Sequence, residues 1–161
     1  MYLVGAEIAG AVVANPAPGS IQPAGVDLTV EIVEELAEPG YLGVSGRRIP
    51  AGRPVEGEGD TYNLPPGAYR VGFSEEVRVP PWGVGFCYPR SSLLRMGAAL
   101  ACAVWDPGYR GRGYALLVVH NPHGIRVERG ARIAQLVVAR LDTIPDSTYE
   151  GVYQGERLPK Q

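Results

Sequence analysis

Glycine and proline interrupt this chain so often that a fold of long helices is excluded. The 161 residues include 22 glycines and 15 prolines, about twice the combined share of these two residue types in an average protein. Both are unfavourable inside helices and mark turns. The sequence therefore predicts many short segments joined by turns, and its length fits one compact domain over residues 1–161.

The segments between these turns have the patterns of β-strands. Residues 26–33 alternate apolar and polar side chains, which predicts a half-buried strand, whereas residues 114–120 are almost continuously apolar, which predicts a strand buried on both faces. Further strands are expected over residues 69–73, 76–79, 82–88 and 132–141. One helical turn is expected at residues 91–97, with a serine capping its start and Gly97 ending it. The pattern favours an all-β fold, a distorted antiparallel β-barrel or jelly roll with one short helix.

Charge and hydropathy exclude several functional classes. The formal net charge is −2, so the chain lacks the basic excess that a nucleic-acid partner requires. No apolar run approaches the roughly 18 residues of a membrane span, and the N-terminus lacks the basic start of a signal peptide. Cys87 and Cys102 lie in apolar surroundings and are expected to be free thiols, with a disulfide as the alternative. A cytoplasmic protein is expected.

The common signatures of phosphate, dinucleotide and zinc sites are missing from the sequence. It contains no P-loop, no glycine-rich dinucleotide motif opening a helix and no Cys-x-x-Cys pair. His120 and His123, the only histidines, lie in a segment that resembles a turn, and further zinc ligands are not evident near them.

Three segments nevertheless carry polar side chains suited to binding. Residues 24–28 (Ala-Gly-Val-Asp-Leu) place the acid Asp27 on a strand. In residues 89–93 (Pro-Arg-Ser-Ser-Leu), an arginine and two hydroxyls meet the free N–H groups of a helical turn, an arrangement that suits phosphate; a capped helix start with a solvated arginine is the alternative. Residues 106–111 (Asp-Pro-Gly-Tyr-Arg-Gly) are expected to form a tight turn that presents a carboxylate and an aromatic ring for binding. The alternative is a turn with a purely structural role.

Taken in order, and followed by residues 130–136 (Gly-Ala-Arg-Ile-Ala-Gln-Leu), these segments resemble the superfamily of deoxyuridine triphosphatases (dUTPases) and deoxycytidine triphosphate (dCTP) deaminases. The resemblance spans about residues 24–155. It implies a distorted β-barrel or jelly roll, and a homotrimer with active sites at the subunit boundaries.

The resemblance also implies roles for individual residues. Asp106 would hold the sugar 3′-hydroxyl and orient the attacking water, Tyr109 would stack under the deoxyribose, and Asp27 would position hydrated Mg²⁺. Backbone groups after Gly111 would read the base edge. The triphosphate would be bound by Arg90, Ser91, Ser92 and Gln135.

The C-terminal segment resembles the tail of the deaminase-like branch of this superfamily. It carries the Tyr…Tyr-Gln pattern as Tyr149, Tyr153 and Gln154, in a tail of about residues 147–161 that is expected to close over the nucleotide. The glycine-rich arm of typical dUTPases is missing. Val152 stands where a lysine is frequent, and Arg157 and Lys160 are the candidates to replace it.

Hydrolysis is favoured over deamination by a missing carboxylate. Deaminating members carry a glutamate in the strand after the Asp-Pro-Gly turn, whereas no carboxylate lies between Asp106 and Glu128 in this chain. The expected activity is therefore hydrolysis of dUTP to dUMP and pyrophosphate with Mg²⁺. The alternatives are a dCTP deaminase, which is disfavoured, and a catalytically silent nucleotide-binding or regulatory module, against which the presence of both Asp27 and Asp106 argues.

Overall fold

The computed structural model describes residues 1–159, and its secondary structure is almost entirely antiparallel β. Two short helices are present, α1 (Gly5–Ile8) and α2 (Ser91–Arg95). The strands are β1 (Val13–Ala14), β2 (Ile21–Gln22), β3 (Gly25–Leu36), β4 (Tyr41–Leu42), β5 (Arg47–Arg48), β6 (Gly52–Pro54), β7 (Thr61–Leu64), β8 (Gly67–Phe73), β9 (Glu76–Arg78), β10 (Gly83–Pro89), β11 (Ala98–Ala101), β12 (Arg110–Gly111), β13 (Tyr114–Val119), β14 (Ile125–Glu128) and β15 (Arg132–Arg140).

The main sheet curves until it nearly closes into a barrel. Its strand order is β10-β15-β3-β8-β13-β11, and β2 and β6 pair with opposite ends of the long strand β3. The strands at the two ends of this order, β10 and β11, also contact each other. Smaller sheets are formed by β1-β9-β12, β14-β7 and β4-β5. This architecture confirms the predicted all-β barrel or jelly roll, and α1 is a helical turn beyond the one that was predicted.

Strand β3 is more deeply buried than its alternating pattern predicts. All of residues 25–30 are buried, including the polar side chains of Asp27 and Thr29, so the prediction of a half-buried strand was wrong. The reason is that both polar side chains have partners inside the fold. Glu75, itself buried, accepts hydrogen bonds from the backbone N–H and the Oγ1 hydroxyl of Thr29, at 2.8 and 2.7 Å.

Strand β13 shows the opposite departure. Ala115, Leu117 and Val119 are buried, but Leu116 on the other face is 39% exposed, so the prediction of burial on both faces was wrong. Leu116 lines a shallow apolar groove together with Leu36 and Ile49. This side of β13 faces away from the barrel core, and the groove covers Leu116 only in part.

The hydrophobic core fills the interior of the barrel. Its largest fully buried side chains include Phe73, Leu28, Leu117 and Leu136. Both cysteines are free thiols, as expected, although Cys102 is only half-buried. In the described part of the chain, no helix is long and apolar enough to cross a membrane.

Candidate functional site

The first group of predicted site residues lies where β10 ends and α2 begins. The backbone N–H of Arg90 donates to the carbonyl of Ile133 at 3.0 Å, so the last residue of β10 and the start of α2 are fixed against β15. Arg90 occupies the N-cap position, and the prediction of a serine cap was wrong, because Ser91 and Ser92 are the first two residues of the helix. Both serines are exposed. The helix ends where Gly97 adopts a positive φ of 78°.

Asp27 is the buried centre of this group. Its Oδ2 lies 3.2 Å from Nη1 of Arg90 and 3.6 Å from Nη1 of Arg132, and it accepts a hydrogen bond from Nε2 of Gln22 at 3.0 Å. Burial raises the pKa of Asp27, and the two arginines and Gln22 oppose that rise. A buried carboxylate with two cationic partners keeps its charge at a lower cost than an isolated one.

Gln135 joins the group through the sheet register. It stands opposite Asp27 on β3 and opposite Tyr88 on β10, and it is half-buried. Its side chain passes so close to Gly25 that a Cβ atom there would lie 2.9 Å from Cγ of Gln135. The glycine of the Ala-Gly-Val-Asp-Leu segment is therefore required for this close approach. Asp27, Arg90 and Gln135 thus lie together at one place in the fold.

The second group surrounds a cavity of about 480 Å³. Asp106, Tyr109, Tyr149 and Tyr153 all line it. Asp106 is exposed, whereas the Tyr109 side chain is buried. The turn between these two residues is closed by the hydrogen bond from Tyr109 N–H to the Asp106 carbonyl at 3.1 Å, and it requires glycine at position 108, where φ is +83°.

Aromatic rings fix the orientation of Tyr109. Its ring meets Trp105 edge to face at a centroid distance of 5.3 Å, and Tyr149 packs on it in the same manner at 5.6 Å. Such pairs stabilise a single ring orientation. Burial raises the pKa of Tyr109 far above its ordinary value, so the phenol stays neutral and serves as a packing surface.

The C-terminal segment lies along the free edge of β12. Tyr149 N–H donates to the Pro107 carbonyl at 2.7 Å, and Gly155 N–H donates to the Arg110 carbonyl at 2.8 Å. Gln154 binds the same turn with both ends of its amide: Nε2 donates to the Gly108 carbonyl at 2.9 Å, and Oε1 accepts from Arg110 N–H at 2.8 Å.

This segment also occupies a backbone donor that the resemblance assigned to the base. Arg112 N–H, in the hairpin after Gly111, donates to the Glu156 carbonyl at 2.9 Å. Lys160, one of the two candidates to replace the missing lysine of the tail, lies outside the described residues. The other candidate, Arg157, contacts Glu31, the Phe73 carbonyl and the Tyr114 ring, and these contacts lie apart from the group around Asp27 and Arg90.

Several residues of the cavity were missed at the level of sequence. Arg70 and Tyr114 line it from β8 and β13, and Glu156 lines it from the C-terminal segment. Burial raises the pKa of Glu156, while Arg157 and Arg70 oppose that rise. Arg70 and Tyr114 could have been found from the sequence, because they alternate with the buried apolar residues of their strands. Glu156 lies in no strand or motif that would have pointed to it.

The two groups are separate in a single chain. The residues that line the 480 Å³ cavity include Asp106 and Tyr109 but neither Asp27 nor Arg90. Residues 1–159 also hold no cluster of three or more histidine, cysteine or acidic side chains that could hold a metal ion. The geometry thus provides an aromatic cavity with a carboxylate at its wall and, elsewhere, an arginine-carboxylate group beside two exposed hydroxyls.

Comparison with known proteins identifies the family. The family model described as dCTP deaminase-like matches residues 5–141. A protein of Aeropyrum pernix named "Probable deoxyuridine 5'-triphosphate nucleotidohydrolase" is 57% identical over 147 residues, which cover 91% of this chain and 92% of that protein. A relative of the same name from Halobacterium salinarum is 46% identical over 88% of this chain and 87% of its own length.

A solved structure shows the same fold at low sequence identity. The 2'-deoxycytidine 5'-triphosphate deaminase of Agrobacterium tumefaciens superposes with a TM-score of 0.64 at 21% identity, over 85% of this chain and 47% of that one. The family match covers most of the chain, and the archaeal relatives align over nearly their whole length. This chain therefore belongs to the dCTP deaminase-like family.

Proposed function

We propose that this protein is a dUTP diphosphatase, which hydrolyses dUTP to dUMP and pyrophosphate with Mg²⁺. The observation that carries the proposal is the cavity of about 480 Å³, whose wall holds the exposed carboxylate of Asp106 next to the buried ring of Tyr109. The archaeal relatives support the choice of substrate, since the 57% identical protein is named for deoxyuridine 5'-triphosphate.

Asp106 and Tyr109 have complementary roles in this proposal. Tyr109 supplies a flat wall under the deoxyribose, in an orientation fixed by Trp105 and Tyr149. Asp106 binds the 3′-hydroxyl and orients the water that attacks in line. A correctly placed base and a correctly held substrate together lower the barrier by positioning and proton transfer.

The triphosphate binds to the group around Arg90. The guanidinium of Arg90 is held by Asp27 but remains 30% exposed, so it can also contact phosphate oxygens. Ser91 and Ser92 present exposed hydroxyls at the start of α2. Gln135 adds an amide donor.

A homotrimer accounts for the separation of the two groups. Because neither Asp27 nor Arg90 lines the cavity of its own chain, a site with both halves requires a second copy. A closed cyclic assembly brings unlike surfaces of neighbouring subunits together at each boundary. We therefore place each active site between subunits, with Arg90 and Asp106 supplied by different copies.

The donor set fits a magnesium ion that arrives on the substrate. Oδ2 of Asp27 contacts Arg90, Arg132 and Gln22, and in this proposal Oδ1 accepts a hydrogen bond from a metal-bound water. A single carboxylate near a phosphate site matches Mg²⁺, which keeps several waters and binds phosphates directly. When bound, the ion would neutralise charge on the phosphates.

The C-terminal segment, of which the structure describes residues 147–159, closes the cavity. Tyr149, Tyr153 and Gln154 contact the nucleotide from this side; of these, Tyr149 and Tyr153 line the cavity, and Gln154 anchors the segment to the turn at Gly108.

The cytoplasmic location expected from the sequence stays a prediction.

One observation favours the second candidate, dCTP deamination. Glu156 brings a half-buried carboxyl to the cavity wall, and a deaminase needs a proton-transferring group beside the base. Against it stands strand β13, which carries no carboxylate where the deaminating members have a glutamate. We therefore keep hydrolysis as the proposed function.

An assay with two substrates tests the proposal. Purified protein with Mg²⁺ should release pyrophosphate from dUTP, and it should leave the base of dCTP unchanged. Formation of a deoxyuridine nucleotide from dCTP would establish the deaminase instead. Stabilisation of the protein by dUTP without any turnover would establish the silent binding module.

A further inference from the structure

We propose that Arg157 and Glu31 form a latch that holds residues 149–157 across the cavity, and that both are positioning residues for nucleotide binding. The ligand named in this inference rests on the proposed function, whereas the latch itself rests on contacts within the chain. Residues 149–157 are called the closing segment below.

The guanidinium of Arg157 is fixed by three different contacts. Its Nη2 forms an ion pair with the Glu31 carboxylate, and its Nη1 donates to the Phe73 carbonyl at 2.8 Å. Its Cζ lies 4.9 Å from the ring centroid of Tyr114. Only 15% of the Arg157 side chain is exposed, so these contacts are largely shielded from solvent. Charge-assisted hydrogen bonds are stronger in such a shielded place than in water.

The backbone of Arg157 indicates that these contacts determine its conformation. Its φ is +56°, in the left-handed region that an L side chain rarely adopts. Such a conformation is strained and persists only where surrounding contacts hold it. The side chain of Arg157 reaches back from this position to the outer face of the main sheet, where it contacts Glu31 and Tyr114, which is what a latch requires.

Glu31 connects the closing segment to the rigid part of the fold. It lies on β3, the long strand of the main sheet, and its Oε1 is 3.1 Å from Nη1 of Arg112. The backbone N–H of Arg112 in turn donates to the Glu156 carbonyl. Glu31 therefore fixes the closing segment directly through Arg157 and indirectly through Arg112.

The latch determines where the cavity wall lies. Glu156 adjoins Arg157 in sequence and lines the cavity, and Tyr153 lies four residues before Arg157 on the same wall. If the latch is broken, the closing segment spends more time away from the cavity. The apparent affinity for nucleotide is proportional to the fraction of molecules in the closed conformation, so it falls as that fraction falls. The rate at saturation is preserved.

Two single variants, Arg157→Met and Glu31→Gln, and their combination test the latch. Chymotrypsin cleaves after Tyr149 and Tyr153, so release of the C-terminal peptide, followed by mass spectrometry, reports opening of the closing segment. Each single variant should release the peptide about tenfold faster than the unaltered protein, a factor that corresponds to about 1.4 kcal/mol. The two substitutions should be less than additive, since both break the ion pair that Arg157 and Glu31 share, although each also removes contacts of its own.

Kinetics with dUTP separate positioning from a structural role. The KM should rise with kcat nearly unchanged, by the factor by which the closed fraction falls. Glu35→Gln is the matched control, because Glu35 lies on the same strand and pairs with Arg53 at the exposed surface. Arg157→Lys keeps the charge and should fall between Arg157→Met and the unaltered protein, which covers the case in which Arg157→Met does not fold.

The outcomes distinguish the latch from the proposed function. Peptide release and KM equal to those of the unaltered protein in folded variants would overturn the latch. Faster release in a protein that does not hydrolyse dUTP would support the latch and refute the proposed function. Additive effects of the two substitutions would show that Glu31 and Arg157 act independently, which also contradicts the proposal.

Discussion

Oδ2 of Asp27 lies 3.2 Å from Nη1 of Arg90; the carboxylate side chain is 1% exposed, and the guanidinium side chain is 30% exposed. The buried acid thus fixes the direction of an arginine that still faces solvent. The arrangement stabilises the start of α2 and leaves donors of Arg90 available for an anionic ligand.

Replacement of Asp27 by asparagine should affect stability and ligand affinity together. Asparagine keeps the size of the side chain but removes the charge that faces Arg90 and Arg132, and we expect a loss of about 1–2 kcal/mol in the free energy of unfolding. Urea unfolding measures this change. Affinity for dUTP, measured by calorimetry, should also fall because Arg90 loses its fixed direction.

Asp142→Asn is the control for this experiment, since Asp142 is an exposed aspartate. If Asp27→Asn unfolds at the same urea concentration as the control and binds dUTP equally well, the buried carboxylate does not position Arg90.

Asp106→Asn tests the proposed catalytic carboxylate. The variant should bind dUTP with nearly unchanged affinity, because asparagine can still contact the 3′-hydroxyl. It should turn over at least about 100-fold more slowly, the lower range for loss of a general base. Steady-state kinetics give kcat, and calorimetry gives the affinity. A variant with full activity would remove Asp106 from the mechanism.

Glu76 provides a prediction for the dependence of stability on pH. Its Oε1 accepts hydrogen bonds from Nε of Arg78 at 2.7 Å and from Nε of Arg110 at 2.6 Å, and these bonds lower the pKa of Glu76 to about 2. Because the pKa in the folded state lies below the usual value of 4.5, the stabilisation is present above pH 4.5 and is lost as the pH falls toward 2.

Glu76→Gln should therefore destabilise the protein at neutral pH but not in acid. Since both arginines are about half exposed, the loss should not exceed about 1 kcal/mol at pH 7. Urea unfolding at pH 7 and near pH 2 measures both values, with Glu150→Gln as an exposed control from the C-terminal segment. An equal loss at both pH values would show that the charge of Glu76 is unimportant.

The positions of the main strands could be predicted from the sequence, but the faces that they bury could not. Local alternation suggested that β3 is half-buried, yet Asp27 and Thr29 are enclosed by partners far along the chain, including Glu75. Conversely, Leu116 on β13 is partly exposed, because the arrangement of strands around the barrel decides which of its two faces is packed against other residues. Long-range pairing decides burial in a curved sheet, and a window of a few residues does not contain that information.

The same limit applies to the candidate site. Asp106 and Tyr109 are three residues apart in one turn, so their proximity could be foreseen, and the structure places both at the cavity. Glu31 and Arg157 are far apart in sequence, and neither lies in a motif of the family segments. Their contact follows from the path of the closing segment, which only the folded chain defines.

Mixing of two inactive variants tests whether neighbouring subunits share the active site. Arg90→Gln and Asp106→Asn should each be nearly inactive alone. If one subunit supplies Arg90 and another supplies Asp106, mixed trimers contain some sites with both residues intact, about a quarter of all sites after random assembly. Co-expression with two affinity tags, followed by purification of the mixed species, should therefore restore activity that neither variant shows. Mixed assemblies that stay inactive, with subunit exchange confirmed by mass, would place both residues within one chain or outside the site.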